Sequence, residues 1–317
     1  MDFSVTDPLL HLIQSTQEPY LLEAASTELH VGDSKVFVMC HPNQRWNQKK
    51  AASFGFLHLG SASDHAVLFE KVESWATRQG AEILYGPINY STFFDYRLRL
   101  DDFKRPPFRG EPYNSNQDVD ALLRVNFVQD LLFESCFLDD KEALRTMITK
   151  NSEHIDGIEK KLNFTLQPLS FDLWKEMLPS FHRVTNEIFK DNAAFVPISM
   201  DLFKRVFNEQ FFSQVCLKSS LMAMDPAGNL VGYCLNFSSP ENSKTLLIKT
   251  AGFLPQARNM GLSFIYLLFQ SLSRALPDYN SFVFCLMKKG NFPSLLSSDL
   301  NLRTTNYALF SKRLLAG

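Results

Sequence analysis

Apolar runs of strand length alternate along this chain with stretches in which apolar residues recur every three or four positions. A short helix over Pro8–Ile13 precedes a polar turn. Lys35–Cys40 (K-V-F-V-M-C) then reads as a strand, and Ala52–Leu59 as a second one with Gly55 inside it, where a bulge or a close backbone contact is expected. Val67, Leu68, Val72, Trp75 and Ala76 share a helix face, with Asp64 placed to cap the helix and Gly80 to end it. Ile83–Tyr85 restarts a strand, and Gly86–Thr92 leaves it. A segment rich in Arg, Pro and aromatics follows, 93–113, and then an amphipathic helix over Asp118–Phe127 with apolar residues on to Phe137.

Between Asp139 and Asn163 the chain is highly charged, with a small apolar patch at Leu144, Met147 and Ile148, and predicts a solvated linking helix. The pattern then resumes. Phe164–Pro168 is a short strand, and Phe171–Phe189 a helix carrying Trp174, Leu178, Phe181, Val184 and Ile188 at helical spacing. Asn192–Pro197 joins it to a helix over Met200–Gln210. Leu221–Met224 and Leu230–Phe237 flank the turn signal D-P-A-G-N and predict a hairpin. Leu246–Leu254 is the next strand, a helix over 259–275 buries Leu262, Ile265, Leu268, Phe269 and Leu272, and Phe282–Met287 is apolar throughout, as a strand buried on both faces should be. Thr305–Leu314 closes the order.

At 317 residues the chain is long enough for two domains. Hydrophobic residues at 45% and charged residues at 21% suit globular cores, into which most of the 29 phenylalanines are expected to go. With 32 basic and 34 acidic residues, no general field favours nucleic acid or an anionic membrane. The five cysteines (Cys40, Cys136, Cys216, Cys234, Cys285) show neither zinc nor disulfide spacing, and the seven histidines are scattered, so no metal is expected. The acidic N-terminus does not resemble a signal peptide and no apolar run reaches membrane-spanning length, so the expectation is a cytoplasmic protein. Zinc-protease, serine-hydrolase and P-loop patterns lack their minimal parts.

The chemistry concentrates in Thr250–Leu268, where a strand meets Pro255, a tight turn and a helix. A helix start carries unpaired N–H groups and partial positive charge, and Gly261 with the small Ser263 lets a phosphate approach the backbone. Arg258-Asn259-Met260-Gly261-Leu262-Ser263 resembles the acyl-CoA-binding motif R/Q-x-x-G-x-G/A of the GCN5-related N-acetyltransferases (GNAT), with Ser in the last position. G-N-L-V-G-Y resembles the hairpin common in that family, and Gly86–Thr92 with the Pro-rich loop ending in Y-N resembles a bacterial group of predicted acetyltransferases carrying G-P-x-N-x-S/T. The resemblance implies an α/β protein of two GNAT-like domains, each a mixed central sheet flanked by helices. The first is expected over 1–138 without a cofactor turn, since the turn after Leu59 reads G-S-A-S-D; a linking helix over 139–162 and a second domain over 163–317 with the acyl-CoA motif follow.

The function it implies is transfer of an acetyl group from acetyl-CoA, or of another acyl group from its CoA ester, to an amine of a small molecule or peptide. Gly252, Phe253 and Leu254 would present backbone groups to the pantetheine arm, Arg258, Asn259, Met260, Gly261, Leu262 and Ser263 would surround the pyrophosphate, and Asn291 would lie nearby. The Arg258 side chain would add its charge there or pair with a surface carboxylate. Many relatives carry a Tyr seven residues beyond an Asn like Asn291; here Ser298 stands there, which leaves Ser298, Tyr307 and Cys285 as proton-donor candidates. Lys249, Thr250 and Tyr233 lie near the expected groove, but the strand holds no carboxylate or His to act as base. Arg105, Arg109 and Tyr113 are candidates for substrate contact from the Pro-rich loop, and the junction 192–197 is expected to wall the acceptor groove. Two alternatives share these features: a non-catalytic acyl-CoA-binding protein, and a relative of the aminoacyl-tRNA-dependent peptidyltransferases, which would need a nucleic-acid-binding face. The acceptor and the oligomeric state stay open.

Overall fold

Most elements stand where hydrophobic spacing predicts them, and contacts then group them in an order the linear sequence does not suggest. The computed structural model describes residues 7–291 and 300–314. Its first elements are α1 (Pro8–Ser15), α2 (Pro19–Glu23), β1 (Ala25–Val31), β2 (Ser34–Cys40), β3 (Arg45–Trp46), β4 (Lys49–His58), α3 (Ala62–Arg78) and β5 (Ile83–Gly86). Next come β6 (Leu98–Arg99), α4 (Asn116–Arg124), β7 (Val128–Leu138), α5 (Lys141–Lys150), α6 (Ser152–Glu159), β8 (Thr165–Pro168), α7 (Phe171–Phe189), α8 (Met200–Val206) and α9 (Glu209–Phe212). The chain ends with β9 (Leu221–Met224), β10 (Leu230–Ser238), β11 (Thr245–Phe253), α10 (Leu262–Ala275), β12 (Ser281–Lys288) and β13 (Arg303–Arg313). Among the described residues no helix is long and apolar enough to cross a membrane.

Contacts divide the chain into two compact units, Met1–Leu132 with Asp191–Leu202 and Asn306–Gly317, and Phe133–Lys190 with Phe203–Thr305. This differs from the contiguous division expected at 138 and 163. The cause is strand placement. β13, last in the chain, pairs antiparallel with β5 (Phe310↔Gly86 to Arg313↔Ile83), while the second part of β7 pairs with β12 (Phe282↔Leu138, Val283↔Phe137, Phe284↔Cys136). Nor is 139–162 a solvated linker: α5 and α6 bury Leu144, Met147, Ile155 and Ile158 and pack against α10 within the second unit.

In the first unit the strands run in the order β1, β2, β4, β5, β13. β4 and β5 are parallel, so α3 serves as their crossover. α3 lays Leu68, Phe69, Val72, Trp75 and Ala76 on Val36, Val38, Ala52, Phe54, Leu84, Ala308 and Phe310. Phe54, Phe69 and Phe127 meet edge to face at centroid distances of 5.3–5.6 Å. The bulge expected at Gly55 forms, because the β2–β4 register shifts there and a Cβ would overlap the Ile88 carbonyl oxygen.

In the second unit the order is β7, β12, β11, β10, β9, β8, with β11 and β12 parallel around the crossover helix α10. Buried Trp174, Phe181, Val184, Thr185 and Ile188 make the core face of α7. The helix expected over 200–210 breaks instead at Asn208, whose Oδ1 accepts the Phe211 N–H at 3.1 Å and starts α9.

Candidate functional site

β11 and β12 begin as neighbours and then part. Their parallel pairing covers Thr245–Ile248 against Ser281–Phe284 and no more. Past that point the β10–β11 register steps from Asn236↔Ile248 to Leu235↔Thr250, so Lys249 is an extra residue in a bulge. β12 turns away through its own irregularity, where Leu286 has φ 57° and gives its N–H to Ser135 Oγ at 2.9 Å. Lys249, Thr250, Ala251 and Gly252 are consequently half-buried, with a backbone edge outside the ladder to β12. Such an edge suits an extended polar chain laid beside it.

At the end of β11 the side chains face inward. Phe253 and Leu254 are 3% exposed, Phe253 packs on Phe164 with centroids 5.1 Å apart, and Leu254 gives its N–H to Val231 O at 2.8 Å. Phe253 O is occupied too, since Arg258 Nε donates to it at 3.1 Å. Of the three residues expected to line the pantetheine, Gly252 alone sits on the part of β11 that, among the described residues, lies beyond the ladder to β12 and is half-buried. A Cβ on Gly252 would lie 2.6 Å from Ile188 Cγ2, so glycine is what lets α7 come this close.

The turn follows. Asn259, Met260 and Gly261 take φ of 42°, 53° and 92° in succession, and α10 starts at Leu262 without a side-chain cap. A Cβ on Gly261 would meet nothing within 4 Å, so glycine is required there for the sign of φ and not for space. Ser263, which stands where the motif it resembles has Gly or Ala, is fully buried and donates from Oγ to Ala257 O at 2.5 Å. It staples the helix start to the strand-end turn. Arg258 also reaches Ile188 O at 3.5 Å, so its guanidinium braces β11 against α7 through carbonyl groups instead of pairing with a surface carboxylate. Met260 is fully exposed over the turn, and Asn291 is exposed at the end of a described segment.

The acid candidates fare differently. Tyr307 belongs to the first unit, is 0% exposed, and donates to Glu111 Oε1 at 2.5 Å. Glu111 also takes Arg105 Nη2 at 2.5 Å and the Phe108 N–H at 2.9 Å. Cys285 is buried, with its thiol on Val283 O at 3.5 Å. Neither placement suits a donor to a departing thiolate. Ser298 lies outside the described residues. Tyr233 Oη is 2.7 Å from Thr185 Oγ1, and burial pushes its pKa up against a small opposing effect of that bond, so it is a poor base.

Arg105, Arg109 and Tyr113 all lie in the first unit. Arg105 is committed to Glu111 and, at 3.0 Å, to Asp102 Oδ2, whereas Arg109 is exposed and Tyr113 is 89% exposed. Sequence reasoning missed Arg99, the buried centre of this loop. Its guanidinium donates to the carbonyls of Asp101, Asp102 and Arg105, and Asn114 closes the loop with 2.8 and 3.0 Å bonds to its backbone. The Y-N that ends the Pro-rich stretch was the available signal.

The G-P-x-N-x-S stretch also finds its reason. In the first unit β4 and β5 pair over Ala51–Ser53 and Ile83–Tyr85, and beyond that Ile88 N–H bonds Phe54 O at 2.8 Å while Asn89 Oδ1 accepts the Phe56 N–H at 2.6 Å. The chain itself fills that gap. Asp64 in the first turn of α3 places a negative charge where an anion would need the helix start. Ser91 Oγ donates to Val196 O at 2.5 Å, so the junction expected to wall an acceptor groove beside α7 is held in the first unit.

No protein-family model matches the sequence, and no curated protein matches it. Solved structures do. A conserved protein of unknown function from Enterococcus faecalis V583, described as a probable N-acyltransferase, aligns with a TM-score of 0.53 at 10% identity over 97% of this chain and 70% of that one. A GCN5-related N-acetyltransferase from Sphaerobacter thermophilus aligns with a TM-score of 0.44 at 12% identity (91% and 83% covered). A tandem GNAT protein of the clavulanic acid biosynthesis pathway aligns with a TM-score of 0.44 at 11% identity (93% and 84% covered). What the chain shares with the Enterococcus faecalis protein, at 10% identity, is the fold.

Proposed function

We propose that the second unit binds an acyl-CoA along the open edge of β11 and over the turn at Gly261, and that the protein passes the acyl group to an amine. The observation that carries this reading is the parting of β11 from β12 directly before a left-handed turn and an uncapped helix start. The donor supplies a thioester activated toward nitrogen nucleophiles. Thr250–Gly252 offer N–H and C=O groups to an extended amide chain, and the start of α10 offers N–H groups and partial positive charge to a pyrophosphate. Ser263 and Arg258 act as braces of this geometry. In the transfer the amine nitrogen bonds the acyl carbon, the C–S bond breaks, the nitrogen gives up a proton and sulfur takes one. A thiol pKa of about 8.5 makes sulfur a tolerable leaving group without a dedicated acid.

The test is calorimetric titration with acetyl-CoA. Wild type is expected to bind, and Gly261→Arg to lose binding while keeping a cooperative melt. Absence of both heat and thermal shift in wild type overturns the reading. A second reading, an acyl-CoA binder that transfers nothing, draws support from the burial of Tyr307 and Cys285. An amine panel with detection of released thiol separates the two: release above the hydrolytic background rules out the passive binder.

A further inference from the structure

β1 stands at an edge of the first unit's sheet: it pairs with β2, and among the described residues no strand pairs with its other side. A free edge is a row of unpaired N–H and C=O groups that a second chain can complete, and folds commonly blunt it with a short strand or a proline. β8, the last strand in the second unit's order, is blunted in both ways, with four residues and Pro168 at its end. β1 has seven residues and no proline.

The hairpin fixes which groups face outward. Gly32 and Asp33 join β1 to β2, with Val31↔Ser34 as the closing pair and Gly32 at φ 53°. In a two-residue hairpin the closing pair exchanges hydrogen bonds, and bonded and non-bonded pairs then alternate. Val31, Leu29 and Thr27 therefore bond to β2, while His30, Glu28 and Ser26 turn their N–H and C=O groups away from it. Lys71 agrees: its Nζ reaches His30 O from α3 at 3.2 Å, taking one of the two lone pairs of that carbonyl. The two faces of the strand differ as well. Leu29 and Val31 pack toward the core under α3, where Val67, one turn before Lys71, is 45% exposed. Glu28 and His30 lie on the other face, with Oε1 and Nε2 2.6 Å apart.

This edge is complementary to itself. An antiparallel partner related by a two-fold axis must set outward groups against outward groups, so the axis passes through a residue of β1. Through Leu29 it places Glu28 opposite the partner's His30, and His30 opposite the partner's Glu28, each pair exchanging two N–H···O bonds. An axis through Glu28 sets carboxylate against carboxylate, one through His30 sets ring against ring, and one through Thr27 leaves His30 beyond the end of the partner strand. We propose that β1 is the docking edge for a second copy of this chain, paired antiparallel about Leu29, so that the sheet of the first unit runs on into the partner. On one face carboxylates and imidazoles alternate across the junction. On the other, Leu29 and Val67 bring it apolar surface. This pairing needs no acyl-CoA.

The experiment is sedimentation velocity on the full chain at neutral pH over a wide concentration range, with melting curves on the same samples. Wild type is expected to form a reversible dimer whose share grows with concentration. Glu28→Pro removes an outward N–H and no bond to β2, so it should melt as the wild-type monomer does and weaken the dimer about tenfold or more. Glu28→Lys should weaken it too, by taking the carboxylate away from the imidazole opposite. Glu28→Lys combined with His30→Glu should restore it, because an axis through Leu29 sets the two exchanged residues against each other again. A wild type that stays monomeric at every concentration, or a dimer that Glu28→Pro leaves unchanged, overturns the proposal. Failure of the exchanged pair to restore the dimer overturns the pairing about Leu29, and this arm decides alone where Glu28→Pro melts early.

Discussion

Tyr307 shows why residue type by itself misleads. On the sequence it is a tyrosine near the end of a domain with a missing acid; in the fold its hydroxyl closes a buried cluster with Glu111, Arg105 and the Phe108 N–H. Removing that hydroxyl leaves Glu111 short of a donor, which costs about 1–2 kcal/mol. Tyr307→Phe is therefore expected to lower stability by that amount in chemical denaturation while acetyl-CoA affinity stays at the wild-type value. A large loss of acyl transfer at unchanged stability would restore its catalytic candidacy. Nothing in the order of residues 99, 111 and 307 announces this cluster, because it forms only when β13 lies against β6 (Tyr307↔Arg99).

Elements were more legible than single residues. The 19-residue helix Phe171–Phe189 appears with the predicted bounds, because its apolar side chains recur at a spacing that only a helix can bury on one face. The strand, turn and helix around Gly261 were legible too, since proline, glycine and a change of period mark the same few residues. Spacing does not show how the turn is held. Ser263→Ala breaks the 2.5 Å bond to Ala257 O, and its expected effect is a loss of about 1 kcal/mol together with weaker acetyl-CoA binding, read by melting and calorimetry on the same sample. If the alanine variant binds as wild type does, the staple contributes to stability alone. β1 was missed altogether: Ala25–Val31 has no fully buried residue and mixes polar with apolar side chains, and its strand form comes from pairing with β2.

At the scale of the molecule the two compact units are interleaved in sequence, and this sets a prediction about truncation. A chain ending at Thr305 loses the strand that carries Tyr307, Ala308, Leu309 and Phe310, all 0% exposed. Such a chain should lose protection of the first unit to limited proteolysis; survival of that protection would show that the unit folds without β13. Alkali supplies a second test. Burial raises the Cys136 thiol to about 12, with Glu134 adding to it, raises Cys234 to about 11, and raises Tyr85 to about 12. Raised acids hold their protons longer folded than unfolded, so their contribution is complete below the unfolded thiol value of 9.0 and is lost as pH climbs toward 12. Urea midpoints should fall between pH 8 and 11, and a flat profile would contradict these burials. The sequence by itself determined most of the strands and helices and where the left-handed turn before α10 stands, because periodicity, proline and glycine act within a few residues. Tertiary structure decided which strands become neighbours, that Asn89 and Ile88 fill one gap while the described ladder of β11 to β12 ends at Ile248, and that Glu111 collects Tyr307, Arg105 and the Phe108 N–H. Those outcomes depend on contacts between residues far apart in the chain, and local spacing carries no record of them.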